Sequence, residues 1–308
     1  MTTAQQQLFI DGGYAAGAEP VAVRSPATGE HVGSFPHPTA ADLDTAVAAA
    51  HRAQRDWAAV NVWDRAAVCR RIADELDARR DALACLQTLE QGKPLAESVA
   101  DVTEAAQLFR LHAEDAVRLN GETLLSRDST KRMFTVHRPV GTWGVITPWN
   151  FPLLMFAEFA APGLATGNAL VVEPPENTPL TVLAAMDAVL AAGLPAGLVN
   201  VLPGDGAFGD VLVRHPGIHA VGFIGSSTTG AKITAAAGLN DLVGDRERAR
   251  VALRLRLLRC RRSTTAPCAL RARAVPPPRR LPPPPWIRSP MTPLTDPLPI
   301  ADQVVSAP

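Results

Sequence analysis

From about residue 144 onward the chain alternates short apolar runs with amphipathic stretches, and no other feature of the sequence limits its fold so tightly. Gly144-Val145-Ile146-Thr147 closes one apolar run, and Ala169-Leu170-Val171-Val172 forms a second that is too short for a helix. Residues 178–192 follow a helical pattern, Leu198-Val199-Asn200-Val201 reads as a strand, and residues 206–214 read as a helix. Ala220-Val221-Gly222-Phe223-Ile224 is a further strand running into a glycine loop at Gly225, with another helix from about residue 228. Strands that lack polar alternation are buried on both faces, so the pattern predicts a parallel sheet covered by helices. That is the doubly wound α/β arrangement, whose ligands bind at the carboxyl ends of the strands.

The preceding part is mostly helical in pattern. Leu8-Phe9-Ile10-Asp11-Gly12-Gly13 reads as a short strand entering a turn, and Ser25-Pro26-Ala27-Thr28-Gly29 as a second turn. Thr39 followed by Asp42 resembles a capping box, with Asp where Glu or Gln is usual. It opens a helix to about Trp57, with Leu43, Val47 and Ala50 on one face. Residues 64–90 form one long amphipathic pattern (Val68, Ile72, Leu76, Leu83, Leu86), closed by Gly92 and Pro94. Another helix is expected over 97–118, and strands within 132–147.

Charge divides the chain. Residues 1–240 carry 17 Lys/Arg against 25 Asp/Glu, whereas residues 241–308 carry 13 Arg against 5 Asp/Glu. Thirteen of the 28 prolines also fall after residue 266. Polyproline supplies neither ladder nor helix hydrogen bonds, so 241–308 is expected to be a disordered Arg/Pro-rich tail behind a domain spanning 1–240. No stretch approaches the roughly 20 apolar residues that span a bilayer, and the start, MTTAQQQLF, lacks the features of a secretion signal. A cytoplasmic location is expected, in keeping with four cysteines in no disulfide framework. Cys69 and Cys85 sit in helical patterns and Cys260 and Cys268 in the Arg/Pro tract. None has zinc-ligand spacing, so no metal is expected.

Four strand ends carry residues suited to chemistry. In Thr147-Pro148-Trp149-Asn150-Phe151-Pro152 two prolines fix the path, and the Asn150 amide can donate to a developing oxyanion. Asn is also simply common in turns. Gly225-Ser226-Ser227-Thr228-Thr229-Gly230 can set backbone N–H groups against a pyrophosphate, or be a small-residue turn capped by a hydroxyl. Val172-Glu173-Pro174-Pro175-Glu176 places carboxyls where ribose hydroxyls bind, though acidic residues also favour helix starts. Pro203-Gly204-Asp205-Gly206-Ala207-Phe208-Gly209 either shapes a cofactor pocket or is a flexible turn.

Taken together these segments resemble the aldehyde dehydrogenase superfamily. Gly144-Val145-Ile146-Thr147-Pro148-Trp149-Asn150-Phe151-Pro152 is similar to its hallmark, and the family's order continues through Glu173-Pro174-Pro175-Glu176, Gly193-Leu194-Pro195-Ala196-Gly197 and Phe223-Ile224-Gly225-Ser226. Phe9-Ile10-Asp11-Gly12, Ser25 to Glu30 and Leu89-Glu90-Gln91-Gly92-Lys93-Pro94 agree with it, so the likeness covers about residues 8–240. It implies a Rossmann-like domain binding NAD, with NADP as the alternative. Asn150 corresponds to the oxyanion-stabilising amide. Ile146, Pro148 and Trp149 line the cofactor cleft, Glu176 contacts the adenosine ribose, Gly204 and Gly209 lie near the adenine end, and Gly225, Ser226 and Gly230 frame the pyrophosphate loop. The implied partners are a small aldehyde and, in the family, further copies of the same chain; neither a membrane nor nucleic acid is implied.

Two positions depart from the pattern. Where this chain has Glu173 the family usually has a lysine that donates to the ribose, and a charged carboxylate cannot donate. After the pyrophosphate loop and one helix the family continues with a Leu-Glu-Leu-Gly-Gly-like strand bearing the general-base Glu, then a Gly-Gln-x-Cys-like segment bearing the nucleophile. Residues 241–308 contain neither, and Cys260 and Cys268 are flanked by the wrong residues. In the family a thiolate attacks the aldehyde, hydride leaves for the nicotinamide, and a Glu-activated water hydrolyses the thioester. The expectation is therefore a truncated, frameshifted aldehyde dehydrogenase that is inactive by itself. The competing reading is a non-enzymatic dinucleotide-binding protein with a basic, proline-rich interaction tail.

Overall fold

The computed structural model of the chain describes residues 4–240. The tail expected over 241–308, including Cys260 and Cys268, lies outside the described residues. The chain begins with β1 (Ala4–Gln5), β2 (Leu8–Ile10), β3 (Gly13–Ala15), β4 (Pro20–Arg24) and β5 (His31–Pro36). Four helices follow: α1 (Ala40–Ala59), α2 (Val62–Ala78), α3 (Arg80–Gln91) and α4 (Leu95–Ala116). Two short exposed strands, β6 (Thr123–Leu124) and β7 (Met133–Phe134), pair antiparallel. The remainder alternates as expected: β8 (Thr142–Ile146), α5 (Pro152–Ala165), β9 (Ala169–Glu173), α6 (Leu180–Ala184), α7 (Met186–Ala191), β10 (Val199–Val201), α8 (Gly206–Arg214), β11 (Ala220–Phe223) and α9 (Ser227–Asn240).

Six strands form the main sheet in the order β11-β8-β9-β10-β2-β3. The first four are mutually parallel. β2 joins β10 antiparallel, with Val201 opposite Phe9, and β3 closes the edge as a hairpin. The doubly wound expectation therefore holds, with an antiparallel edge that local pattern does not disclose. From β8 the chain steps to β9 and β10 in one direction, then returns to place β11 on the other side of β8. Crossovers of one hand running in opposite directions put their helices on opposite faces. α5, α6 and α7 thus cover one face and α8 the other, where α1 lies beside it: Asp44 Oδ1 is 3.0 Å from His215 Nε2, and His51 Nε2 is 2.6 Å from the Gly217 carbonyl.

Capping and packing explain the helix limits. Thr39 and Asp42 form the reciprocal capping box of α1, and Leu43, Val47 and Ala50 are buried on its inner face. Gly92 ends α3 in the left-handed region at φ 86°, its N–H bonded to the Thr88 carbonyl. The stretch 64–90, which reads as one helix, is two. Arg79 leaves the helical basin at φ −106°, ψ 7°, with neither Gly nor Pro to announce it. The break lets α2 pack on α4, α5 and α7 while α3 packs on α4 and α6. The stretch 178–192 likewise divides at Ala185, although Ala185 N–H still donates to Thr181 and the Ala185 carbonyl accepts from Ala188 and Val189. Within 132–147 the strands are confined to β7 and β8. β9 is buried at every position, as an inner parallel strand must be. No helix among the described residues is long and apolar enough to cross a membrane.

Candidate functional site

Reversal of strand order beside β8 leaves a crevice at the carboxyl ends of the strands, between α8 and α9. A cavity of about 320 Å³ occupies it. Ile146 and Thr147 reach it from the end of β8, Glu173 and Pro175 from the end of β9, and Gly204 and Asp205 from beyond β10. Val213 on α8 and Ile233 and Ala236 on α9 give it apolar walls. Asp205 caps α8, accepting from the Ala207 and Phe208 N–H groups at 3.0 and 2.9 Å, and these bonds hold its carboxyl below the ordinary range. Lys232 also lines the cavity, and the described residues give it no ion pair.

Two buried side-chain oxygens that have no partner among the described residues belong to this cavity's lining: Thr147 Oγ1 and Glu173 Oε2. Buried polar atoms are paired nine times in ten; these two belong to one lining, while five further unpaired atoms among the described residues lie outside it. Glu173 is only 4% exposed. Burial, helped by the nearby Asp205 charge, pushes its carboxyl up to about 9. An upward shift of that size favours the neutral form near pH 7, in which the group keeps an O–H donor.

Ile146 ends β8, and the other sequence-selected residues come in the chain after β8, β9, β10 or β11. Ile146, Gly204 and Gly209 line the cavity itself. Pro148, Trp149 and Asn150 continue from β8, with Trp149 55% exposed and Asn150 exposed. Their turn is held from two sides. Thr178 Oγ1 donates to the Trp149 carbonyl at 3.3 Å, and the Lys93 ammonium stands 4.0 Å above the Phe151 ring while paired with buried Asp101. Glu176 is exposed beyond β9. Gly225 and Ser226 stand between β11 and α9, where Ser226 caps the helix by accepting from the Thr229 N–H at 3.1 Å, and Gly230 is buried in its first turn. Thr147 and Asp205 lie within the motif segments without being selected as site residues, and Val213, Lys232, Ile233 and Ala236 are lining residues that motif reading misses. Asp205 carries a signal, an acidic residue just before a helix start. The others contribute by helical or strand position alone.

The profile of the aldehyde dehydrogenase family matches residues 14–245. The chain belongs to the aldehyde dehydrogenase family. Among solved structures it is similar to an NADP-dependent enzyme from E. coli, at 35% identity and a TM-score of 0.75, over 77% of this chain and 50% of that one. A putative aldehyde dehydrogenase from Burkholderia cenocepacia shares 38% identity at a TM-score of 0.74, over 77% and 49%. A betaine aldehyde dehydrogenase point mutant from Staphylococcus aureus, solved in complex with NAD+, shares 35% at 0.74, over 76% and 48%. The match thus spans about half the length of these relatives.

The cleft lies within the matched region. Neither of the chain's two described cysteines is among that cleft's lining residues. Cys69 is buried in α2, where desolvation pushes its thiol up to about 12, and Cys85 is exposed on α3. No group of His, Cys, Asp and Glu among the described residues could hold a metal ion.

Proposed function

We propose that the cleft binds the adenosine half of NAD, and that residues 144–230 form the cofactor half of an aldehyde-oxidising site. The carrying observation is the cavity at the strand-order reversal, with apolar side chains from α8 and α9 and with two lining residues whose buried oxygens have no partner among the described residues. An adenine ring fits between aliphatic walls, and a ribose satisfies buried donors and acceptors. The N–H groups opening α9 face negative charge favourably, which suits the pyrophosphate beside Gly225 and Ser226. The NAD+ complex of the Staphylococcus aureus relative supports the same choice of dinucleotide. Glu176, exposed beyond β9, is the residue we assign to favour NAD over NADP, because its charge repels a 2′-phosphate.

Toward the nicotinamide end, Trp149 and Asn150 lie on the exposed turn after β8, and the Asn150 amide is the group we assign to an aldehyde oxygen as negative charge develops there. Neither described cysteine lines the cleft, and an oxyanion donor has nothing to stabilise without an attacking group. This chain by itself is thus expected to bind NAD without oxidising aldehydes. Calorimetric titration with NAD should give a saturable heat, while mixtures with several aldehydes should form no NADH. Turnover on the order of 1–10³ per second would contradict the second half of this reading. Absence of any binding heat would contradict the first.

A further inference from the structure

Glu173 and Thr147 lie next to each other across the β8–β9 ladder, where the Thr147 N–H donates to the Glu173 carbonyl at 3.2 Å. Their side-chain oxygens Oε2 and Oγ1 are buried in the lining of one cavity and unpartnered among the described residues. We propose that Glu173 binds ligand as a neutral carboxylic acid, donating its O–H to a ribose hydroxyl of the nucleotide, so that nucleotide affinity is switched off when this proton is lost. The proposal rests on the dinucleotide reading above and adds to it the protonation state that binding requires.

The surroundings of Glu173 fix the sign. Asp205, capping α8, raises the cost of ionising it, and Asp210, farther along α8, lines the same cavity while paired with Arg214. Lys232 is the cationic residue of the lining and comes from α9. The turn after β8 contributes Thr147, which carries no charge, and Gly209 brings bare backbone against the carboxyl. His37 acts on Asp205 rather than on Glu173. Desolvation together with an acidic neighbour favours the proton, and the ordinary range is left far below. A third carboxylate charge in this group would repel an anionic nucleotide and remove the donor its sugar needs. An uncharged sugar hydroxyl, rather than a phosphate, is thus the chemistry this end of the cleft accepts.

Two measurements on the full chain test the proposal. Difference infrared spectra of wild type against Glu173→Gln, without ligand, should show the carbonyl stretch of a protonated carboxylic acid at pH 7. Titration with AMP, whose groups do not ionise between about pH 7 and 10, should give wild-type affinity that is constant near neutrality. Above the carboxyl's own value it should fall by about tenfold per pH unit. Glu173→Gln, which always offers an N–H, should bind with a flat profile over the same range. A missing acid band at pH 7, or an identical fall in both proteins, overturns the proposal. If the band is present but neither protein binds AMP or NAD at pH 7, the dinucleotide reading fails, and the sugar-donor role falls with it although the neutral acid stands.

Discussion

A Cβ on Gly209 would stand 2.8 Å from Oε2 of Glu173, so the bare backbone of α8 makes the room that the buried carboxyl fills. The two residues are coupled in a way a double-mutant cycle can read. Gly209→Ala gains about 1 kcal/mol of helix propensity but drives the carboxyl from its place. The substitution should therefore be neutral or destabilising in the native background and stabilising in Glu173→Ala. A coupling of at least about 0.5 kcal/mol in urea unfolding is expected. Additive effects would mean that the two groups do not share this space.

Glu90 and Glu173 both titrate above the ordinary carboxyl range, near 7 and near 9, with burial the first cause in each case. Glu90 is buried where it accepts from the Leu180 and Thr181 N–H groups at the start of α6, at 2.7 and 2.9 Å. In the unfolded chain both protons leave near pH 4. From there up to the folded values the folded chain holds protons that the unfolded chain has lost, so stability falls as pH rises. The slope is up to about 1.4 kcal/mol per pH unit for each group. Unfolding free energy should decline from pH 5 to 9, more steeply below 7 where both groups contribute. Glu173→Gln should flatten the segment between 7 and 9, and an unchanged slope there would contradict the assignment.

Lys93 and Asp101 form a buried ion pair, each side chain 7% exposed, with Gln87 donating to the same carboxylate at 2.8 Å. Lys93→Ala leaves the Asp101 charge uncompensated and removes the cation above Phe151. A loss of about 3–5 kcal/mol is expected, and replacing both partners by apolar residues of similar volume should recover most of it. Chemical denaturation of the single and double variants checks this. A single variant as stable as wild type would show that the pair does not hold the turn bearing Asn150.

The sequence disclosed the parts of this molecule that local chemistry determines. Ala169–Val172 must be an inner strand because it has no polar face, and Gly92 must end a helix because the chain turns left-handed there. The break at Arg79 was invisible because Ala78, Arg79 and Arg80 suit a helix interior, and packing of α3 against α6 decides otherwise. The antiparallel edge was equally hidden, since the pairing of Phe9 with Val201 depends on contacts across most of the chain. At the site, the glycines and Asn150 were legible as motif positions. Lys232 and the walls from Val213 and Ile233 were not, because nothing near them in sequence says that α8 and α9 face each other. Glu173 shows the sharpest limit: its charge depends on burial, which a sequence position does not carry.

The central claim, that a nucleotide occupies the cleft between α8 and α9, is tested most directly by closing the cleft. Gly206 lines the cavity at the start of α8, and a Cβ added there meets no atom within 4 Å, so a large side chain can be introduced without disturbing the fold. Thr229 offers an exposed position on the α9 wall. Calorimetric titration of wild type, Gly206→Trp and Thr229→Trp with NAD, each with unchanged circular dichroism, reads the outcome. The account predicts saturable binding by wild type and at least a tenfold loss, about 1.4 kcal/mol, in both variants. Undiminished binding by both tryptophan variants would place the nucleotide elsewhere and contradict it.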